Sequence, residues 1–273
     1  MGTPNIFQLI ADSITELLAT KMSFLEAAGL NLFRMLALIL IAWFGIKAAL
    51  SSSQGGAGFN FGNFTDLILL IAFGFAMLTY YTSPLPGMTY SFSELITKEA
   101  SYVSTQISGD QAQTITDAIT NAEAQLGSPP GVLTLHETLT YFFVYVLLAT
   151  TQGVTLAVIA YGFVATAVCI LIGPLFIPFL IVGKLDWLFW GWLRAFLGFA
   201  LYQVVANAFV YIVAKVLLGL LAVIGPMTIA NAYVLMPALI VTLAVCIYGI
   251  VKIPELTSAI VSGRVGISAS PLG

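Results

Sequence analysis

Four polar side chains stand at successive intervals of four in an otherwise apolar run: Gln203, Asn207, Tyr211 and Lys215. That spacing holds them in one slowly drifting stripe on a helix face. Polar groups in hydrocarbon are costly without partners, so the stripe must meet another helix, another subunit or water. Two chemistries fit: hydrogen bonding between helices, with Lys215 snorkelling to a nearby surface, or the wall of a water-lined conduit. A second candidate is the set of helix breaks Gly173, Pro174 and Pro178. Broken helices open backbone carbonyls to ions in transporters, but no acidic residue lies near these in the sequence, and a packing kink is the other reading. A third is the cluster Lys184, Asp186, Trp187, Trp190, Trp192 and Arg194, which holds three of the four tryptophans. Amphipathic rings beside cations mark a cytoplasmic membrane interface. Arg34 and Glu137 are expected to form a structural ion pair near the opposite surface. His136 has no second ligand at metal spacing and reads as a surface or capping residue. Cys169 and Cys246 lie in apolar runs and read as buried free thiols. With no GxxxxGK[ST], HExxH or GxSxG pattern, no catalytic, cofactor or metal site is expected.

The elements that must position these residues follow from composition. Hydrophobic residues make up 60% of the 273 and charged residues 8%, with a mean hydropathy of +1.03, whereas soluble domains are about 25% charged. The expected fold class is all-α, a polytopic membrane helical bundle. A net charge of −3 and scattered cations leave no basic patch for nucleic acid.

Residues 1–26 carry Phe7, Ile10, Ile14, Leu17, Leu18, Met22 and Leu25 at intervals of three and four, with Asp12, Glu16 and Lys21 between them. This predicts an amphipathic helix too charged to span. Since the first cation is Lys21, no signal peptide is expected, and the first span acts as its own insertion signal. Residues 27–81 hold two spans, Ala27 to Leu50 and Asp66 to Tyr81, joined by a Gly/Ser/Asn-rich turn. Residues 82–137 form a polar loop with one cation against six anions. Ser91 and Glu94 there have capping-box spacing, and the pattern predicts a hairpin of two helices outside the bilayer. Residues 138–253 form the C-terminal transmembrane bundle, and 254–273 a tail.

From Thr138 to Gly183 run 46 uncharged residues, about 69 Å as one helix, more than twice a hydrocarbon core of about 30 Å. Because cytoplasmic loops collect Lys and Arg, the acidic loop belongs outside and Lys184 and Arg194 inside. That parity predicts one net crossing for 138–183, with surplus length taken up at the breaks or beyond the outer surface. It gives five crossings in all, the last over Tyr233 to Ile250, with the N-terminus outside and the C-terminus inside. Lys47, Lys184, Arg194, Lys252 and Arg264 then lie inside, and Lys21 and Lys98 outside.

The run IGPLFIPFLIVGKLDWLFWGWLRAFLGFALYQVVANAFVYIV, within an outer N-terminus, two spans, an exported loop and three spans, resembles the polytopic inner-membrane subunit of type IV secretion systems, the TrbL-like conjugal transfer family. The likeness is strongest from Gly162 to Lys215 and covers the whole chain as topology. It implies a homo-oligomeric inner-membrane subunit of a bacterial conjugation machine that contacts exported protein or DNA-protein substrate. The partners it implies are periplasmic scaffold subunits, pilus subunits, cytoplasmic ATPases and membrane lipid. It implies no enzyme activity and no cofactor. The competing classes are a secondary transporter or small-solute channel, disfavoured by the lack of a repeated half, and a structural membrane platform without a conduit.

Overall fold

A computed structural model describes residues 6–53, 59–108, 135–224 and 251–262, with scattered positions between 117–124 and 237–249. Among the described residues every regular element is helical, as the periodicity predicts. In order they are α1 (Ile6–Ser53), α2 (Phe61–Thr79), α3 (Phe92–Ser108), α4 (Leu135–Phe176), a 3-10 turn (Ile177–Ile181), α5 (Asp186–Ile224) and α6 (Ile253–Ser262). Four segments are long and apolar enough to cross a membrane: Asp12–Ser51, Phe61–Thr79, Glu137–Ile181 and Asp186–Val216. Most of the expected fifth span, Tyr233 to Ile250, and of the second hairpin helix lies outside the described residues.

The expected surface helix and first span are one rod. No proline interrupts residues 6–53, and Leu25, Ala27 and Ala28 are strong helix formers. Hence the change from charged to apolar composition alters the surroundings of α1 without ending it. Asn60 caps α2, its side-chain oxygen accepting from the Asn63 amide at 3.1 Å. Phe44 of α1 packs on Phe59 and Phe64, with ring centroids 5.6 and 5.4 Å away, and this closes the α1–α2 hairpin at that end.

The capping box at α3 forms as its spacing predicts. The Ser91 amide donates to Glu94 Oε2 at 3.1 Å and the Glu94 amide to Ser91 Oγ at 3.3 Å. The Ser91 amide, aided by Lys98 at 3.2 Å, holds the Glu94 carboxyl below the usual carboxylate range.

By packing, the chain divides into two compact units, Met1–Glu99 with Val164–Phe199 and Ala100–Phe163 with Ala200–Gly273. The first has a core of buried Phe33, Met77, Tyr81, Ile177, Trp192 and Phe196. In the second, the buried positions of α4 are Thr140, Val144, Leu148, Thr151, Thr155, Ile159 and Gly162, spaced three or four apart. Thr151 and Thr155 turn their hydroxyls back to the carbonyls of Leu147 and Thr151, at 2.9 and 2.8 Å. Such small, self-satisfied residues let membrane helices approach closely.

Candidate functional site

In the first unit the break in α4 is built from what two prolines remove. Pro174 has no N–H, so the carbonyl of Ile170 four residues earlier loses its helical donor. Tyr81, just past the end of α2, supplies one: its hydroxyl donates to Ile170 O at 2.7 Å. At the neighbouring carbonyl, Trp192 Nε1 of α5 donates to Cys169 O at 2.9 Å. Pro178 likewise has no N–H to return to Pro174 O, and Gly29 of α1 lies against that oxygen. A Cβ at Gly29 would stand 2.3 Å from it, too close for any residue with a side chain. Gly173 is confined in the same way, since a Cβ there would meet Tyr81 Oη at 2.0 Å and Trp192 Cζ2 at 2.6 Å. Three helices thus converge on the break, and the chemistry they leave is packing and hydrogen-bond satisfaction. The carbonyl that Pro174 frees, Ile170 O, already has a protein donor, and Trp192 adds one at Cys169 O, which favours the kink over ion coordination.

The Lys184–Arg194 cluster divides into two faces of α5 at its start. Trp192, only 4% exposed, lies with Phe189 and Phe196 in the core. Trp187 and Trp190 are 64% and 50% exposed, and Lys184 and Arg194 are exposed beside them, while Asp186 is half-buried. Trp187, Trp190 and Arg194, spaced three and four apart, share one helical face.

The polar stripe lies in the second unit, and its members have different surroundings. Gln203 is buried and its amide approaches Gly162 O of α4 at 3.4 Å. A Cβ at Gly162 would crowd Tyr202 at 2.9 Å, so this glycine sets how closely α4 and α5 meet there. Asn207 turns back on its own helix, donating to Gln203 O at 2.8 Å. Tyr211 and Lys215 are exposed, with the ammonium 5.6 Å from the ring centroid. The stripe is therefore interhelical at one end and open at the other. Arg34 is exposed on α1 in the first unit and Glu137 is exposed in the first turn of α4 in the second. The side chain of His136, together with Cys246 and Arg264, lies outside the described residues. Cys169 is a buried free thiol.

A family model described as TrbL/VirB6 plasmid conjugal transfer protein matches residues 37–253. The chain belongs to the TrbL/VirB6 conjugal transfer family. No individual curated protein matches it. The match is broader than the Gly162–Lys215 stretch that carries the resemblance, and it takes in the breaks, the tryptophan cluster and the polar stripe. Gly29 and the first half of α1 fall outside it. Membership and the four apolar segments make this a membrane-integral component of a type IV secretion machine, associated with other parts of that machinery.

Sequence reasoning passed over Tyr81, Gly29, Gly162 and the threonine seam of α4. A signal for Tyr81 does exist, because a proline inside an apolar helix always frees the carbonyl four residues back. The identity of the donor, 89 positions away, is set by the tertiary fold and leaves no local trace.

Proposed function

We propose that this TrbL/VirB6-family chain is an inner-membrane subunit that oligomerises and lines part of the path taken by exported protein or DNA-protein substrate. In this reading it also supports pilus assembly beside periplasmic scaffold and pilus subunits, and cytoplasmic ATPases supply the energy. The chain does no chemistry of its own. The α2–α3 turn faces the periplasm, since the loop it opens holds one cation among six anions.

The observation that carries this reading is the open end of the stripe. Tyr211 and Lys215 are exposed on a helix composed for hydrocarbon, where uncovered polar groups face water or a partner. A photo-crosslinking residue at position 211 or 215 should capture transiting substrate in conjugating cells, and one at Gln203 should capture α4 instead. Absence of substrate adducts at both open positions, with transfer still proceeding, would remove the conduit role. The family membership would stand, and the platform reading, which the buried Gln203 end favours, would take its place.

A further inference from the structure

We propose that the notch over Gly191, on the exposed face of α5, seats the phosphate of an anionic phospholipid between Trp187, Trp190 and Arg194, with Lys184 adding a second positive charge. This rests on the chain being membrane-integral and is independent of the conduit reading.

One apolar segment, Glu137–Ile181, ends just before the turn at 182–185, and the next, Asp186–Val216, begins just after it. With both segments running from it into the bilayer, the turn stands at a membrane surface and the first turns of α5 meet lipid headgroups, where tryptophans and cations collect. Trp192 is turned the other way, its indole N–H donating to Cys169 O inside the core. Trp187 and Trp190 are exposed, as are Lys184 and Arg194. Neither of these cations has a carboxylate partner among the described residues, whereas Lys98 pairs with Glu94 and Lys252 with Glu255.

The side chains on this face are alike in one respect. An indole, a guanidinium and an ammonium all donate hydrogen bonds and accept none. Such a face calls for a ligand made of acceptors and carrying negative charge, and at headgroup level that group is the lipid phosphodiester, whose oxygens match the fork of a guanidinium. The one opposing group is Asp186, half-buried in the first turn of α5. Two cations against one anion leave the cluster a net charge of +1. A zwitterionic lipid would bring its own cation to that field and an anionic lipid would not, so the face discriminates between them.

Gly191 supplies the space. Trp187, Gly191 and Arg194 are spaced four and three apart, so the glycine lies between the ring and the guanidinium on one helical face. Helical side chains lean over the turn that precedes them, and this carries Arg194 across Gly191 and Trp190. A Cβ at Gly191 would meet nothing within 4 Å. The packing that confines Gly29 and Gly173 is therefore absent here, and glycine weakens a helix interior. What a bare backbone at this position does offer is close approach for a ligand.

The test uses the full chain carrying Trp43→Phe, reconstituted in bilayers of phosphatidylcholine and phosphatidylglycerol with one of the two lipids brominated at a time. Bromine quenches by contact, so at equal bromine content the two mixtures report which lipid lies against Trp187 and Trp190. Phosphatidylglycerol should quench as though enriched several-fold over its share of the bilayer. Arg194→Gln should return the two lipids to parity, and Asp186→Asn should raise the preference. Gly191→Leu separates a seat from a general attraction of charges. It enters open space and strengthens the helix, so the chain keeps its fold, yet it should abolish the preference with both cations in place. Parity in the chain with Gly191, Asp186 and Arg194 intact overturns the proposal and leaves an acidic segment of a partner protein as the complement of this face. A preference that survives Gly191→Leu overturns the seat, because charge alone would then account for it.

Discussion

The two prolines of the α4 break each remove a backbone donor, and the fold answers with a side chain or a glycine from elsewhere. At Ile170 this pairing can be tested as a chemical equivalence. Tyr81→Phe keeps the ring in its packed site but leaves a buried carbonyl without its donor, a loss of about 1–3 kcal/mol by general experience and nearer 1 for helices in membranes. Pro174→Ala restores an N–H four residues after Ile170, so the carbonyl regains a helical donor. In the Pro174→Ala background, Tyr81→Phe should therefore cost markedly less than it does alone. Unfolding of the two single variants and the double variant in detergent gives the coupling. Strict additivity would mean that the Tyr81 hydroxyl does not stand in for the missing amide. Neither Tyr81 nor Gly29 is marked as important by its own sequence neighbourhood, because what each answers is a vacancy on another helix.

Among the elements, α1 shows how composition and continuity can part company. Its first half has the charge of a surface helix and its second half the hydropathy of a span, so a boundary near Ala27 is the natural sequence reading. Yet Met22 on one side and Phe33 on the other belong to the same core, and Gly29 between them touches the α4 break. A rod that packs on both sides of the compositional boundary has no joint there. Ala27→Pro separates the two pictures. In the interior of a continuous helix it should cost about 3 kcal/mol, seen as a large fall in Tm in detergent. At the first position of a separate second helix, proline would be accommodated with little change. Elsewhere the elements were more legible. The α3 cap and the stop before Pro84 are legible in residue types alone, because caps and prolines act within one turn. In α4 the breaks at Gly173, Pro174 and Pro178 are legible in the same way, whereas an uncharged run contains nothing local to mark where it meets a membrane surface.

For the whole molecule, composition announced a membrane protein and the family match agrees, but neither says which parts of so apolar a surface meet lipid. Tryptophan exposure gives a handle on this. Trp43 is 65% exposed, Trp187 and Trp190 stand at 64% and 50%, and Trp192 is 4% exposed. These four are all the tryptophans in the chain. Lipids brominated along the acyl chain quench by contact, so in such bilayers the accessible rings should lose most of their emission while Trp192 retains its own. The residual emission should then vanish in a Trp192→Phe variant, which keeps an aromatic ring against Phe196 and gives up the indole with its hydrogen bond to Cys169 O. An unchanged residual in that variant would show that one of the other three is shielded, and removing Trp43, Trp187 and Trp190 in turn would identify it. Protection of Trp43 would mean that protein, rather than lipid, covers the α1–α2 hairpin, as an oligomer would require there. Full quenching of Trp192 in the native chain would contradict the core around the α4 break itself.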